Sequence, residues 1–292
     1  MTSSQNNPFA QMSIRPAAHA GSWYPGTLPA LISDVDQYVA NAAVPRASRV
    51  DAILAPHAGL MFSGRIGAYS YKTAAQGTYE AVVVVGPSHY FAFDGVAVWP
   101  DGGFDSPLGI ARIHQDATDE VLSDPIAQAL PSAHGREHSL ELQLPFLRRL
   151  LPDVPIVPLL MGFQQRDTID ALAGLLTRLA QKRPTLLVAS TDLSHFFDAT
   201  TAGLLDARVQ ACVTSFDPDM LHDLFDHYPE NERGRYVACG GGPAIAVMKA
   251  ARAVGASEGR VLKYGHSGEV TGDNDGVVGY LAAAFGSFID AH

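Results

Sequence analysis

Two cysteines in 292 residues, Cys212 and Cys239, are too few for a disulfide framework of the kind that holds small secreted domains together. Basic residues are also scarce. Twenty Lys and Arg stand against thirty Asp and Glu, a net charge of −10, and no Lys/Arg cluster exists that could neutralise a phosphate backbone. Nucleic-acid binding is therefore not expected. No apolar run approaches the length needed to span a bilayer, and the start lacks the basic-then-apolar pattern of a signal peptide. A cytoplasmic location without membrane contact is the resulting expectation. The sequence contains no Gly-x-Ser-x-Gly elbow, no phosphate-loop Gly-x-x-x-x-Gly-Lys and no Gly-x-Gly-x-x-Gly after a strand.

What the chain does have is 47% hydrophobic residues, enough for one large core, and no internal repeat or linker. Residues 1–12 are polar and patternless and read as a disordered tail, leaving one domain over 13–290. Short, β-branched runs at Val50–Leu54, Ala81–Val85, Pro155–Met161 and Thr185–Ala189 read as buried strands. Helical stripes lie between them: Leu28 to Val39, Gly64 to Ala75, Leu140 to Leu151, Ile169 to Lys182 and Pro243 to Val254. Near the end, Arg260–Tyr264 and Val277–Leu281 read as two further strands. This alternation predicts an α/β fold with a central, mostly parallel or mixed sheet flanked by helices on both faces.

Four strand or loop ends carry chemistry. Ala55-Pro56-His57-Ala58-Gly59 and Gly86-Pro87-Ser88-His89 each set an imidazole just past a buried strand, and imidazole is the commonest ligand for a borderline metal. Ser190-Thr191-Asp192-Leu193-Ser194-His195 offers a carboxylate three residues from an imidazole, which suits a proton-transfer pair or an oriented base. Cys239 precedes three glycines and a helix start, where backbone N–H groups favour a thiolate. Parallel strands end along one edge, so these distant residues are expected to share a pocket. His134-x-x-Glu137-His138 has the letters of a zinc-peptidase motif, but Gly135 and Pro131 place it in a loop entering a helix. Cys212, in a helical run, reads as core. Gly21-Ser22-Trp23-Tyr24-Pro25 is an aromatic turn that suits either a pocket wall or the core.

Taken in order, Arg15-Pro16, Ala20-Gly21-Ser22-Trp23-Tyr24-Pro25, Ala55-Pro56-His57-Ala58-Gly59, Gly86-Pro87-Ser88-His89, Glu137-His138-Ser139-Leu140-Glu141, Asp192-Leu193-Ser194-His195 and Cys239-Gly240 resemble the MEMO family over nearly the whole chain. Bacterial members of that family are called AmmeMemoRadiSam system protein B. The resemblance implies a fold like the class III extradiol (LigB-like) dioxygenases, which are non-haem iron enzymes. It implies His57, His89 and Cys239 as metal ligands, with His195, Asp192 and His138 as proton-transfer residues. Trp23, Tyr90 and Glu137 would line the substrate pocket. Fe(II) is the implied cofactor, with Cu or Zn as alternatives, and the implied substrate is a small, aromatic molecule. A functional link to a radical-SAM protein also follows from the resemblance, and the animal relative is a cytoplasmic effector of receptor signalling and motility.

This chain departs from the family in carrying Tyr90 where many relatives have a second His. Its Leu60-Met61-Phe62 is more apolar than the corresponding stretch of relatives, which speaks against a phosphotyrosine-type ligand. Ring-cleaving enzymes hold iron with two His and a carboxylate, whereas a thiolate is softer and suits Fe, Cu(I) or Zn. Three functions stay open at this point: a dioxygenase-like oxidoreductase, a non-catalytic metal- or peptide-binding module, and a zinc-dependent hydrolase.

Overall fold

The computed structural model describes residues 13–289, so the expected tail at 1–12 and the last residue of the expected domain lie outside the described residues. Four strands run parallel through the middle of a nine-stranded mixed sheet, in the order Arg46–Ala55, Thr185–Ser190, Ala81–Pro87, Ile156–Met161. Val277–Ile289 pairs antiparallel with Arg46–Ala55, and both Glu258–His266 and His195–Phe197 pair with Val277–Ile289. On the opposite side Val96–Val98 runs antiparallel to Ile156–Met161, and Ala127–Ala129 closes that edge. Ile14–Arg15, Gly103–Phe104 and Ala111–Arg112 form a separate three-stranded sheet.

The alternation of side chains divides the core into two layers. Ile53, Ala55, Val82, Val84, Leu186 and Val188 face helices Leu28–Asn41, Leu60–Ala74 and Leu144–Leu150. Ala52, Leu54, Val83, Val85, Leu187 and Ala189 face Arg166–Lys182, Ala199–Thr214, Pro218–Asp226 and Gly241–Ala253. Both faces are buried, which is why these strands read as unbroken apolar runs. Each fully buried Val or Leu contributes about 1.5–3 kcal/mol, so the central strands are the firmest part of the molecule.

The expected α/β sheet is therefore present, and the differences have local causes. The last strand continues through Ala282, Ala283 and Ala284 to Ile289, because flanking strands on both sides hold a stretch of low intrinsic β-propensity. The helix expected from Leu140 starts only at Leu144, after a 3₁₀ turn over Glu141–Gln143, with Pro145 in its first turn. The two- and three-residue strands escape sequence reading because they are too short to show a period. Among the described residues no helix is long and apolar enough to cross a membrane.

Candidate metal centre

Three of the four parallel strands deliver a polar residue two positions past their ends: His57 after Ala55, His89 after Pro87 and Asp192 after Ser190. Because Ala55 stands opposite Ser190, and Val85 opposite Ala189, all three emerge at one edge of the sheet. The His57 and His89 rings meet edge to face with centroids 5.2 Å apart. His138 comes from a separate loop and stacks on His89 at 4.3 Å. One nitrogen from each of His57, His89 and His138 lies within 4.8 Å of the others. Cys239 Sγ stands 3.2 Å from His57 Nε2 and accepts from the Asp192 amide at 3.4 Å. Ligands bound at about 2.0–2.3 Å to one tetrahedral ion are themselves roughly 3.5 Å apart, so the sulfur–nitrogen spacing fits two ligands of a shared cation.

Two of the three histidines are braced from behind. His89 donates its Nδ1–H to Glu137 Oε1 at 2.9 Å and its amide to Oε2 at 2.7 Å, and the Ser139 amide adds a third donor to the same carboxylate. A carboxylate behind a metal-facing imidazole fixes its tautomer and raises its basicity. His57 Nδ1 lies 2.9 Å from Ser190 Oγ, and the His57 amide donates to Asp192 Oδ1 at 2.8 Å. His138 Nδ1 comes within 3.4 Å of Glu137 Oε1 but lacks hydrogen-bond geometry, so that nitrogen is buried without a hydrogen-bond partner among the described residues.

Electrostatics suit a cation. Burial, together with the charge of His89 and its neighbours, pushes the His57 ring well below the usual imidazole range. Burial and the charge of His89 lower His138 to about 4, and burial lowers His195 to about 4. These rings stay neutral at pH 7 and keep a lone pair. His89 is the exception. Burial opposes its charge, but the Cys239 sulfur and the Glu137 carboxylate outweigh that and raise it to about 10. Glu137 is correspondingly held at about 2 by its bonds from His89 and Ser139, against the effect of burial. Without metal the site thus already stabilises one positive charge, which a bound cation would replace.

The cavity above these groups has a volume of about 420 Å³. His57, His89, His138, Asp192 and His195 form its polar lining, and Trp23, Met61, Phe62 and Val278 its apolar wall. Burial raises Asp192 to about 7 even though the His57 and Ala58 amides favour its charge. Its carboxylate is engaged with the His57 loop, while His195 Nδ1 is buried with no hydrogen-bond partner among the described residues. Next to His195, Phe196 adopts φ 62° and is 67% exposed, a strained conformation for a bulky residue.

The sequence-expected residues fall as follows. His57, His89, Asp192, His195 and Cys239 are brought together, and Trp23 stands at the rim, tilted over His138 at 4.6 Å. Glu137 is turned away from the cavity, behind His89, and Tyr90 lies outside the lining, 6.0 Å from the His138 ring. His138, expected in proton transfer, offers a nitrogen within 4.8 Å of those of His57 and His89 and so is also a potential metal ligand. His134 parts company with its motif. It ends the helix Pro131–His134 and packs between Trp99 and Phe104 in the core. The glycines after Cys239 admit protein rather than a ligand: a Cβ at Gly240 would sit 2.4 Å from Ser190 O, and one at Gly241 2.3 Å from the Phe225 ring.

The residues that hold the loops carry no chemical motif of their own in the sequence. Arg15 pairs with Glu141 at 2.6 Å and donates to the carbonyls of His134 and Glu137. Glu141 also accepts from Tyr24 Oη and from the amides of Ala18 and His19. This latch ties the N-terminal aromatic turn to the loop carrying Glu137 and His138. Gln143, buried between Leu140, Leu144 and Leu147, was the readable signal: a polar residue at a core position asks for partners.

Comparison with known proteins agrees over the same span. A family model described as "Memo-like protein" matches residues 15–284. A MEMO1 family protein of Methanopyrus kandleri is 36% identical over 238 residues, covering 80% of this chain and 82% of the relative. A MEMO1 family protein of Thermotoga petrophila is 33% identical over 282 residues, covering 92% and 98%. The crystal structure of an uncharacterized Escherichia coli K12 protein is similar in fold, with a TM-score of 0.54 at 17% identity, covering 82% of this chain and all of that one.

Proposed function

The chain belongs to the Memo-like protein family, and on that premise we propose that it is a metal-dependent, dioxygenase-like oxidoreductase acting on a small aromatic substrate. The proposed ligands are His57, His89 and Cys239, and the proposed ion is Fe(II), with Cu or Zn as substitutes. The observation that carries this reading is the meeting of two braced imidazoles below an apolar-walled cavity, with Cys239 Sγ 3.2 Å from His57 Nε2. Bound there, iron or copper supplies redox chemistry that none of the lining side chains can.

The protein's own groups do the rest. Trp23, Met61, Phe62 and Val278 exclude water and offer flat apolar contact to a ring. Asp192, poised near neutrality, gives or takes a proton at the cavity floor. His195, kept neutral by burial, lines the same cavity and is the second proton-transfer group. Trp23, tilted against His138 with centroids 4.6 Å apart, forms the rim.

Anaerobic purification followed by elemental analysis tests the ligand set. The expected result is about one metal per chain in the wild type and in His138→Ala, and loss of metal in Cys239→Ala. Metal retained in Cys239→Ala but lost in His138→Ala would favour a second reading, a three-histidine zinc site with hydrolytic chemistry, which the close approach of His57, His89 and His138 supports. Oxygen uptake across a panel of catechols then separates an oxidoreductase from a metal-binding module. A fully iron-loaded protein that consumes no O₂ with any of them would remove the enzymatic claim.

A further inference from the structure

We infer that Ser190 and Gln143 are positioning residues that hold His57 as its Nδ1–H tautomer, leaving Nε2 bare towards Cys239. One buried chain of hydrogen bonds fixes every proton along its length. Tyr71 Oη lies 2.7 Å from Gln143 Oε1, and Gln143 Nε2 lies 3.1 Å from the Pro56 carbonyl. A carbonyl only accepts, so the Gln143 amide must point its NH₂ group at Pro56. The second N–H of that group then donates to Ser190 Oγ at 2.8 Å. Ser190 has a single hydroxyl proton, and its neighbour at 2.5 Å is the Ser139 carbonyl, which can only receive it. One lone pair of Ser190 Oγ remains, and it faces His57 Nδ1 at 2.9 Å. That nitrogen must carry the proton.

The chain is sealed. Tyr71, Gln143, Ser190 and His57 are each no more than 1% exposed, so no solvent molecule competes to reverse it. Tyr71 is held in place by stacking on Phe146 at 5.2 Å with the rings 6° from parallel. His57 thus gains, from neutral groups on a helix, a 3₁₀ turn and a strand end, what His89 gains from the ionised Glu137. The consequence for ligand binding rests on the metal-site reading above; the tautomer itself does not.

The test uses metal-free protein with ¹⁵N-labelled histidine, the His57 signals being assigned by their loss in His57→Asn. The wild type is expected to show Nδ1–H at His57. Ser190→Ala should give mixed tautomers, and Ser190→Thr, which keeps the hydroxyl, should restore the wild-type pattern. Gln143→Met should shift the mixture less, because the Ser190 hydroxyl then gains only partial freedom to turn; it also serves if Ser190→Ala does not fold. Anaerobic Fe(II) titration against a chelator should show affinity about 10–100-fold weaker in Ser190→Ala, the usual effect of losing such an outer partner. Ser70→Ala removes an equally buried hydroxyl, 2.6 Å from Leu54 O, and should leave both readouts unchanged. An Nε2–H tautomer in the wild type, or an unaltered Nδ1–H signal in Ser190→Ala, overturns the inference. A wild type with the expected tautomer but no Fe(II) affinity leaves the inference standing and defeats the metal reading instead.

Discussion

Arg15 and Glu141, 126 positions apart, form an ion pair of 2.6 Å in which both side chains are at most 1% exposed. The pair joins the first described strand to the loop that bears Glu137 and His138. Arg15 also lies over the Phe104 ring at 4.8 Å. Removing one member strands the other in the interior, which typically costs about 3–5 kcal/mol. Arg15→Ala should therefore lower the urea midpoint sharply, and it should weaken metal binding through the loosened loop. Urea titration of the metal-free protein checks the first effect and chelator competition the second. A midpoint within error of wild type would contradict the latch.

Glu137 accepts from three N–H donors, the His89 Nδ1–H among them, so its charge organises both the loop and the ring. Glu137→Gln keeps the shape but turns an NH₂ group towards donors. Metal affinity is expected to drop by about 10–100-fold, as for other outer partners of ligating histidines. Isothermal titration with Fe(II) or Zn(II) measures it, and equal affinity in the variant would mean that His89 is not oriented by this carboxylate.

Asp192 gives a pH signature in the metal-free protein. Burial raises it from 3.8 to about 7 in the folded state, so folding favours the protonated form. Its stabilising contribution is complete below about pH 4 and is lost as pH rises through 7. Asp192→Asn keeps an oxygen for the His57 and Ala58 amides and removes the titration. Relative to that variant, the wild type should lose up to about 3 kcal/mol between pH 5 and 8. Paired urea titrations at the two pH values give the difference. A pH-independent gap would show that Asp192 ionises as freely in the folded protein as in the unfolded one.

Gly240 is demanded by space. A Cβ there would lie 2.4 Å from the Ser190 carbonyl and 2.8 Å from Thr191 Cβ, where the Cys239 loop crosses the strand end. Gly240→Ala must push the two segments apart, which typically costs about 1–3 kcal/mol. It should also move Cys239 away from His57 and reduce bound metal. Thermal melting and elemental analysis follow the two effects; an alanine tolerated without change in either would show that the contact yields easily.

Much of this molecule was legible from local pattern. The runs before His57, His89 and Asp192 read as strands because both faces of a parallel sheet are buried, which leaves an unbroken apolar signal. Cys239 stood out through the glycines behind it, although the reason for them is packing against Ser190 and Phe225. His138 was harder, since its loop has no periodicity and its neighbour His134 points into the core. The Arg15–Glu141 latch left almost no mark, and the chain from Tyr71 through Gln143 to Ser190 left only the polar Gln143 in an apolar stretch, because each links elements whose proximity no local pattern encodes.

The order of residues by itself determined where strands stop and which polar group follows each stop. Hydrophobic periodicity and Pro/Gly punctuation are properties of neighbouring residues, and they survive in a one-dimensional reading. Only the tertiary structure decided which imidazole nitrogens face one another, which carboxylate stands behind which ring, and where each proton must sit. Those depend on strand register and on loops meeting across the sheet edge, where a shift of about an ångström separates a hydrogen bond from a mere contact.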